Sequence, residues 1–274
     1  MAKKWNQYSG ERILLGIRRY VGAVRASIKY LLLFPIFRPR QVNSFTFGVL
    51  TLQDQIGYRS EIIPSRSVVE AFPGCLCENI QIGQVLPHEG SSISAFEMIV
   101  LTALVKHLKP KVAFEIGTSI GVTSHNIALN QPEDGHLFTL DLPPVSKTAD
   151  EIKTHFDVTV SDRKMIFADR AKRRFLDTPV EQKITQLYGD SAEFDFAPYA
   201  AQCDFVFVDG SHAYEYVESD TRHALSIVKS GGIIVWHDYN DGFFWPAVAR
   251  YLKTLGREKQ IFRIDGTMFA VMQA

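Results

Sequence analysis

Hydrophobic and polar positions show two kinds of spacing along most of the chain. Short apolar runs end in Gly, Pro or Asp, and longer stretches with helical spacing separate them. The pattern predicts strands over 112–116, 136–140, 184–188, 204–208 and 233–236, and helices over 95–108, 122–130, 214–229 and 244–255. A hairpin over 261–264 and 268–272 follows, turning at Asp265-Gly266. Alternating strands and helices indicate an α/β fold with a doubly wound, mainly parallel sheet, to which the hairpin adds an antiparallel strand.

This pattern divides the chain into an extension, residues 1–60, and one α/β domain, residues 61–274. Residues 41–90 are rich in proline and glycine and are predicted to be irregular, wrapping the domain or forming part of a lid. Ser94 and Glu97 have the spacing of a capping box at the start of the helix over 95–108. Residues 143–182 are interpreted as a lid insertion that covers the carboxyl edge of the sheet. Its basic residues are interpreted as the solvated face of a helix: Arg170, Lys172, Arg173 and Arg174.

The extension carries an unusual charge. The whole chain has 30 basic and 30 acidic residues, yet residues 1–40 hold nine Lys or Arg and a single acid, Glu11. Residues 11–34 separate into an apolar face and a basic face at helical spacing, which suits a helix lying in an anionic membrane surface. The same apolar face suits packing against the domain or against a second copy of the chain, so a homo-oligomer is the alternative.

Composition excludes several classes of function. A balanced charge gives no general attraction to nucleic acid, and we expect no nucleic-acid partner. Cys75, Cys77 and Cys203 have no framework spacing and are read as free thiols of a cytoplasmic protein. No secretory signal is expected, and the apolar run over 30–37 is too short to span a bilayer. The expected location is the cytoplasm, including peripheral contact with the inner face of a membrane.

The run V-A-F-E-I-G-T-S-I-G over 112–121 is the most informative motif. A strand ends near Glu115, then a turn with Gly117 and Gly121 leads into a helix, which predicts a nucleotide-sized pocket with close backbone approach to the ligand. Ser119 stands where the dinucleotide fingerprint needs its second glycine. An acid before the turn favours a positively charged cofactor without phosphate, such as S-adenosylmethionine, over NAD.

Polar side chains follow the other predicted strands. Because ligands of an open α/β sheet bind outside the carboxyl ends of its strands, these residues are expected to share one site. They are Asp141, then Asp190 with Ser191, then Asp209 and His212, then His237 with Asp238. A single acid at a strand end is often only a cap or turn residue, so the coincidence at successive strands carries the prediction.

Five runs in this order, E-I-G-T-S-I-G, T-L-D-L, L-Y-G-D-S, F-V-D-G-S-H-A-Y-E and G-G-I-I-V-W-H-D-Y, resemble the class I S-adenosylmethionine-dependent methyltransferases. The resemblance covers residues 90–274 and is greatest to the macrocin-type and catechol-type O-methyltransferases. It implies a seven-stranded sheet whose last strand is antiparallel. It also implies that the methionine part is held near Glu115, Gly117 and Gly121, the ribose by Asp141, and the adenine by Asp190 and Ser191. The full set of predicted cofactor-binding residues is Glu115, Gly117, Thr118, Ser119, Gly121, Asp141, Asp190, Ser191 and Asp209.

Related enzymes of these two types bind Mg²⁺ with acids that correspond to Asp209, His237 and Asp238, so a divalent cation, Mg²⁺ or Mn²⁺, is a possible cofactor here. The chain departs from both patterns, since macrocin-type enzymes have Asp-Asp at 237–238 and catechol-type enzymes have Asp-Asn at 238–239. His237 is a poorer ligand for Mg²⁺ and a better one for a transition metal. The alternative is that His237 and Asp238 only bond to the lid or cap a helix.

Methyl transfer to a hydroxyl requires a base, and the predicted catalytic residues are His212, Asp209 and His237, with His212 as the base and His237 as the alternative. Tyr214 and Tyr239 are expected to pack rather than react. The predicted activity is O-methylation of a small hydroxylated acceptor, such as a sugar or glycolipid intermediate. The alternatives are an NAD-linked oxidoreductase and a non-catalytic cofactor-binding module recruited to a membrane.

Overall fold

The computed structural model describes residues 63–85, 93–144, 153–166, 173–240 and 245–274. The predicted extension over 1–60, its helix over 11–34, and parts of the predicted lid lie outside the described residues. Those predictions therefore stay predictions.

The strands and helices follow one another in nearly strict alternation after residue 93. The strands are β1 Ser65–Arg66, β2 Val112–Ile116, β3 His136–Asp141, β4 Ile184–Tyr188, β5 Cys203–Val208, β6 Val228–Trp236, β7 Ile261–Ile264 and β8 Ala270–Gln273. The α-helices are α1 Val68–Ala71, α2 Ala95–Leu108, α3 Val122–Asn130, α4 Val160–Ile166, α5 Tyr214–Ile227 and α6 Pro246–Leu255. Short 3₁₀ turns lie at Cys75–Cys77, Glu181–Lys183 and Ala197–Tyr199.

Within the described residues the strands form one sheet in the order β1-β7-β8-β6-β5-β2-β3-β4. Neighbouring strands pair in parallel from β6 through β5, β2 and β3 to β4, while β8 runs antiparallel to both β6 and β7. The predicted α/β fold with an antiparallel last strand is confirmed. The sheet has one strand more than the predicted seven, because Ser65 and Arg66 pair in parallel with β7 at the sheet edge.

The core lies on both faces of the central strands. Along β2 and β5 alternate side chains point to opposite faces, so Phe114 and Val206 join one hydrophobic cluster while Ala113 and Phe205 join the other. The first cluster packs against α5 and α6, and the second against α2. Near-continuous apolar strands are typical of a parallel sheet covered on both faces, and they hold the strand ends in register for the site.

The junction of α5 and β6 differs from the prediction. The predicted helix over 214–229 ends at Ile227, and the strand predicted to begin at 233 begins at Val228. Val228 pairs with Cys203, and the register then shifts before Phe205 pairs with Ile233. A bulge of this kind is hidden from a pattern search because Gly231 and Gly232 look like a turn that separates the elements.

Residues 80–85, which we call the N-terminal strap, are irregular as predicted but are held at defined points. Asn126 accepts a hydrogen bond from Gly83 N at 2.9 Å and donates to Gln84 O at 2.8 Å. Asn130 does the same for the backbone of Gln81, at 2.9 and 2.7 Å. Two asparagines one turn apart on α3 therefore replace the backbone partners that a strand would supply.

Among the described residues, no helix combines the length and the hydrophobicity needed to cross a membrane.

Candidate active site

The glycine turn after β2 is built by close contact between backbone segments. Gly117 has φ +102°, and a Cβ there would lie 2.0 Å from the carbonyl oxygen of Asp209. Gly121 has φ +80° and caps α3, and a Cβ there would lie 2.7 Å from the ring of Phe175. Both positions need glycine, but the neighbour that requires it is protein rather than ligand.

Glu115 lies beneath this turn and is fully buried. Its Oε2 accepts hydrogen bonds from Thr139 Oγ1 at 2.5 Å and from Ser124 Oγ, whereas Oε1 has no hydrogen-bond partner among the described residues. Burial raises the pKa of its carboxyl to about 7, in spite of these two bonds. The negative charges of Asp209 and Asp141 contribute to the same rise in pKa.

Thr118 is turned inward. Its hydroxyl lies 2.6 Å from Thr139 Oγ1 and accepts a hydrogen bond from Gln186 Nε2 at 3.1 Å, and the residue is almost fully buried. The side chain of this predicted cofactor residue therefore belongs to the hydroxyl network around Glu115.

Asp141 ends β3 and is the centre of several bonds. Its Oδ2 accepts a hydrogen bond from Ser119 N at 2.8 Å, and its Oδ1 accepts one from Leu142 N at 2.8 Å. Ser119 has φ +48°, so the turn bends in the left-handed region to present this N–H. Asp141 thus lies beside the glycine turn, as a ribose-binding acid must.

Arg173 corrects one prediction. We expected the basic run 170–174 to form a solvated face, but Arg173 is only 2% exposed and its Nη1 lies 3.2 Å from Asp141 Oδ2. Arg174 N also donates to Ile120 O at 2.8 Å, which ties this part of the insertion to the glycine turn. Arg173 can be buried here because the partly exposed Asp141 pairs with it, and no local pattern reveals such a partner.

Asp190, after β4, holds the described part of the insertion. Its Oδ2 accepts hydrogen bonds from Tyr216 Oη at 2.6 Å and His155 N at 2.8 Å, and its Oδ1 accepts one from Ala192 N. The ring of Phe156 packs edge-on against Tyr216. The insertion therefore docks at the predicted adenine end of the site, which supports its description as a lid.

Ser191 bonds to a buried acid that the sequence analysis did not single out. Its hydroxyl hydrogen-bonds to the side chain of Asp220, whose carboxyl pKa is raised to about 7 by burial. Asp220 lies on α5 and is about 1% exposed. Ser191 is thus positioned by the Asp220 side chain of α5.

Residues after β5 and β6 join Asp162 of α4 in a continuous row that we call the acid–histidine chain: Asp162, His212, Asp238, His237 and Asp209. His212 Nδ1 contacts Asp162 Oδ1, and His212 Nε2 lies 2.8 Å from Asp238 Oδ2. The same Asp238 oxygen lies 3.2 Å from His237 Nδ1, which lies 3.0 Å from Asp209 Oδ1. The structure therefore brings all the predicted catalytic and metal residues together.

Both histidines of this chain are held in the charged form. Burial by itself would lower the pKa of His212, but the carboxylates of Asp238 and Asp162 raise it to about 10. Burial likewise opposes charge on His237, yet Asp238 and Asp209 keep its pKa well above the usual value. In this arrangement each imidazole ring donates hydrogen bonds to neighbouring carboxylates. His212 can act as a base only if one of its two acids releases the ring nitrogen that it binds.

Glu97 and Asp162 are site residues that the sequence analysis missed. Glu97 forms the predicted capping box with Ser94, but its Oε1 also accepts a hydrogen bond from Met268 N at 2.7 Å and lies 3.7 Å from His237 Nε2. Burial alone would raise the pKa of Glu97, but His237 lowers it to about 2. The one available signal was an acid in an otherwise apolar first turn of a helix. Asp162 gave no signal, because nothing in the charged insertion separates it from surface acids.

Three of these residues have the geometry of a cation site. One ligand atom each from Asp209, His237 and Asp238 lies within 4.8 Å of the others, and His237 and Asp238 are buried. Carboxylate oxygens and an imidazole nitrogen at this spacing fit a divalent cation.

Tyr239 is buried in the core and Tyr214 packs against Tyr251, as expected.

Comparison with known proteins identifies the fold family. Residues 114–239 match the family described as a methyltransferase domain. This part of the chain is thus similar to a methyltransferase domain. The SAH-bound methyltransferase PaMTH1 of Podospora anserina has a similar fold, with a TM-score of 0.51 and 14% identity over 84% of this chain and 95% of that one. The resemblance to class I methyltransferases is therefore confirmed.

Two plant proteins are similar in sequence. An Arabidopsis thaliana protein assigned to the caffeoyl-CoA O-methyltransferases is 33% identical over 137 residues, and the tapetum-specific methyltransferase 1 of the same plant is 28% identical over 141 residues. These alignments cover 50% and 51% of this chain and 50% and 52% of the relatives, so the chain spans about half the length of the curated relatives it matches. All predicted site residues lie inside the matched range 114–239, whereas Glu97 lies outside it.

Proposed function

We propose that this protein is an S-adenosylmethionine-dependent O-methyltransferase. The observation that carries the proposal is that Glu115, Asp141 and Asp209 come from three neighbouring parallel strands. Asp209 N donates to Ile116 O at 2.8 Å, and Asp141 Oδ2 accepts from Ser119 N of the glycine turn at 2.8 Å. A cofactor with a sulfonium and an ammonium group is the kind of ligand that a group of acids attracts. The Gly117–Gly121 turn lies at the same edge and is the kind of turn that borders a nucleotide-sized pocket.

Each end of the cofactor has residues that fit it. Glu115 Oε1, buried and without a partner in the described structure, suits the ammonium of the methionine part. Asp141 suits the two ribose hydroxyls, with Arg173 sharing or releasing one oxygen when they bind. Ser191 and Asp190 lie after the next strand for the adenine. When bound, the cofactor supplies an activated methyl group.

The test is calorimetry of the full chain with S-adenosylmethionine and with NAD. We expect the first to bind and the second not to. Asp141→Ala should weaken binding by about 10- to 100-fold, the usual value of hydrogen bonds to a charged group. Asp134→Ala is the matched control, since Asp134 is exposed and bonds to Lys111. Binding of NAD alone would overturn the proposal in favour of an oxidoreductase.

The acceptor that we propose is a small hydroxylated molecule, a catechol-like phenol or a sugar. The name of one plant relative refers to a caffeoyl acceptor, and the motifs also resemble sugar O-methyltransferases. His212 is the proposed base: Asp162 holds Nδ1–H, and Nε2, which lies 2.8 Å from Asp238 Oδ2, becomes available when Asp238 releases it. Nε2 would then take the proton of the acceptor hydroxyl, so that the oxygen is the nucleophile for the methyl group that a bound cofactor would supply.

Methyl transfer from labelled S-adenosylmethionine to catechol and sugar panels tests this assignment. His212→Ala should lower turnover by about 10²- to 10⁴-fold while leaving cofactor affinity nearly unchanged. His223→Ala, on α5 and stacked on Phe196, controls for loss of a histidine elsewhere. Full activity of the His212 variant would exclude it as the base.

We also propose that Asp209, His237 and Asp238 hold a divalent cation. Such a cation would lower the pKa of an acceptor hydroxyl bound to it. The support is the spacing of the three ligand atoms at the strand ends where the acceptor must lie.

Peripheral contact of residues 11–34 with an anionic membrane is a further part of the proposal. It is supported by the segregated basic and apolar faces of that segment. Sedimentation with phosphatidylserine vesicles should show binding at low salt that weakens at high salt. Absence of binding at low salt, together with a dimer in light scattering, would assign the apolar face to self-association instead.

A further inference from the structure

We infer that the site of Asp209, His237 and Asp238 takes a first-row transition ion in preference to Mg²⁺, and that Glu97 positions the His237 ring for this. The inference rests on the proposed function only in placing a cation at these three residues. It concerns which class of cation binds and which residue outside the matched range 114–239 positions the nitrogen ligand.

The first step is the direction of the His237 ring. Nδ1 faces the site, at 3.0 Å from Asp209 Oδ1 and 3.2 Å from Asp238 Oδ2. Nε2 faces away from both acids and has no hydrogen-bond partner in the described structure. An imidazole binds a metal through one nitrogen lone pair, so a cation at this site would displace the proton from Nδ1, and Nε2 would keep its own proton.

The second step is the acceptor for that proton. Glu97 Oε1 lies 3.7 Å from Nε2, and both side chains are almost completely buried. Ser94 N and Met268 N donate to the two oxygens of Glu97 at 2.8 and 2.7 Å, which fixes the carboxylate from α2 and from the hairpin. A metal-binding histidine usually donates its second N–H to such a carboxylate, which sets the tautomer and strengthens the ligand.

The third step is ligand chemistry. Mg²⁺ is a hard ion that selects oxygen ligands and keeps several waters. Imidazole nitrogen beside two carboxylates instead suits Mn²⁺, Fe²⁺ or Co²⁺, whose affinity for such sites rises along that series. A buried nitrogen ligand, His237, oriented by its own acid, Glu97, therefore disfavours Mg²⁺ relative to these ions.

The experiment uses the full chain after removal of metal with a chelator. Co²⁺, Mn²⁺ and Mg²⁺ are titrated separately by calorimetry, and pulsed EPR of the Mn²⁺ form detects ¹⁴N coupling from a bound imidazole. We expect Co²⁺ and Mn²⁺ to bind at least about tenfold more tightly than Mg²⁺, with clear nitrogen coupling. Equal or tighter binding of Mg²⁺, absence of nitrogen coupling, or absence of any metal binding would each overturn the inference.

Two variants separate the roles of His237 and Glu97. His237→Asp should abolish the nitrogen coupling and bring Mg²⁺ affinity close to that of Mn²⁺. Glu97→Gln should weaken Co²⁺ binding by about 10- to 100-fold while nitrogen coupling remains. Glu70→Gln is the matched control, because Glu70 is the acid of the other capping box, on α1. Unchanged Co²⁺ affinity in Glu97→Gln would remove the positioning role, and the wild-type spectra alone decide the cation class if a variant fails to fold.

Cofactor binding to the metal-free chain distinguishes this inference from the proposed function. If S-adenosylmethionine binds but no transition ion does, the inference fails and the function stands. If the ion binds through nitrogen but the cofactor does not bind, the function fails and the inference stands.

Discussion

Gly117 shows how much a single residue position carries in this site. The turn needs glycine because the segment after β5 runs against it, and Asp209 O would lie 2.0 Å from any Cβ. The same contact places Asp209 beside the glycine turn, where its N–H donates to Ile116 O at 2.8 Å. The geometry of the site therefore depends on a position that binds nothing through a side chain.

Gly117→Ala should lower the free energy of unfolding by several kcal/mol and weaken cofactor binding. A positive φ costs about 1–2 kcal/mol for alanine, and the clash with a backbone atom adds to it. Gly231→Ala is the control, since Gly231 has φ +80° but nothing within 4 Å of its Cβ position. Urea unfolding of the two variants compares them. Equal losses would mean that the close contact with Asp209 has no energetic weight.

Asp220 supplies a pH-dependent prediction. Its folded-state pKa, about 7, is above the ordinary 3.8 because of burial. The folded chain therefore holds this proton more tightly than the unfolded chain, so stability is lost as pH rises from about 4 to 7. Asp220→Asn removes this loss, and its stability relative to the wild type should rise over that window by up to about 4 kcal/mol. Thermal melts from pH 4 to 8 measure the difference, and a difference independent of pH would contradict the assignment.

At the scale of elements, the insertion and the N-terminal strap are held by side chains rather than by strand pairing. Asp190 and Asp162 anchor the insertion, and Asn126 and Asn130 anchor the N-terminal strap. The sequence pattern could not place either segment, because nothing in the segments themselves specifies these distant partners. The elements of the sheet were predicted well, since their apolar runs are buried on both faces and need no partner to be recognised.

Asn126→Ala should release the N-terminal strap. It removes the acceptor of Gly83 N and the donor to Gln84 O, which leaves backbone groups without their partners and costs about 2–3 kcal/mol. Hydrogen exchange followed by mass spectrometry should show faster exchange over 80–85, while β2 and β5 stay protected. Ser226→Ala is the control, since its hydroxyl bonds within its own helix to His223 O. Unchanged exchange over 80–85 would show that Asn126 does not hold this segment.

At the scale of the whole molecule, the described domain carries a core of its own. Ile63 is already fully buried in the main cluster with Phe114 and Trp236. The predicted boundary near residue 61 lies outside the described residues and stays a prediction. The fold places the strand ends and the described part of the insertion at one edge of the sheet, whereas the N-terminal strap runs along α3. We propose that cofactor binding belongs to this edge and membrane contact to residues 11–34.

Removal of residues 1–60 should therefore separate the two properties. We expect the truncated chain to keep the melting temperature within a few degrees and to bind S-adenosylmethionine like the full chain. It should lose sedimentation with anionic vesicles, since the basic amphipathic segment is gone. Vesicle binding that survives truncation would place the membrane contact on the domain instead.

The sequence by itself determined the α/β class, most strand positions, the glycine turn and the acids at the strand ends. These follow from local chemistry, because periodicity, turn residues and motif spacing act over a few neighbours. Tertiary structure alone decided that Arg173 is buried against Asp141, that Asp162 reaches His212, and that Glu97 lies behind His237. Those roles depend on charged partners that are distant in sequence, and a charge shows its partner only when the chain has folded around both.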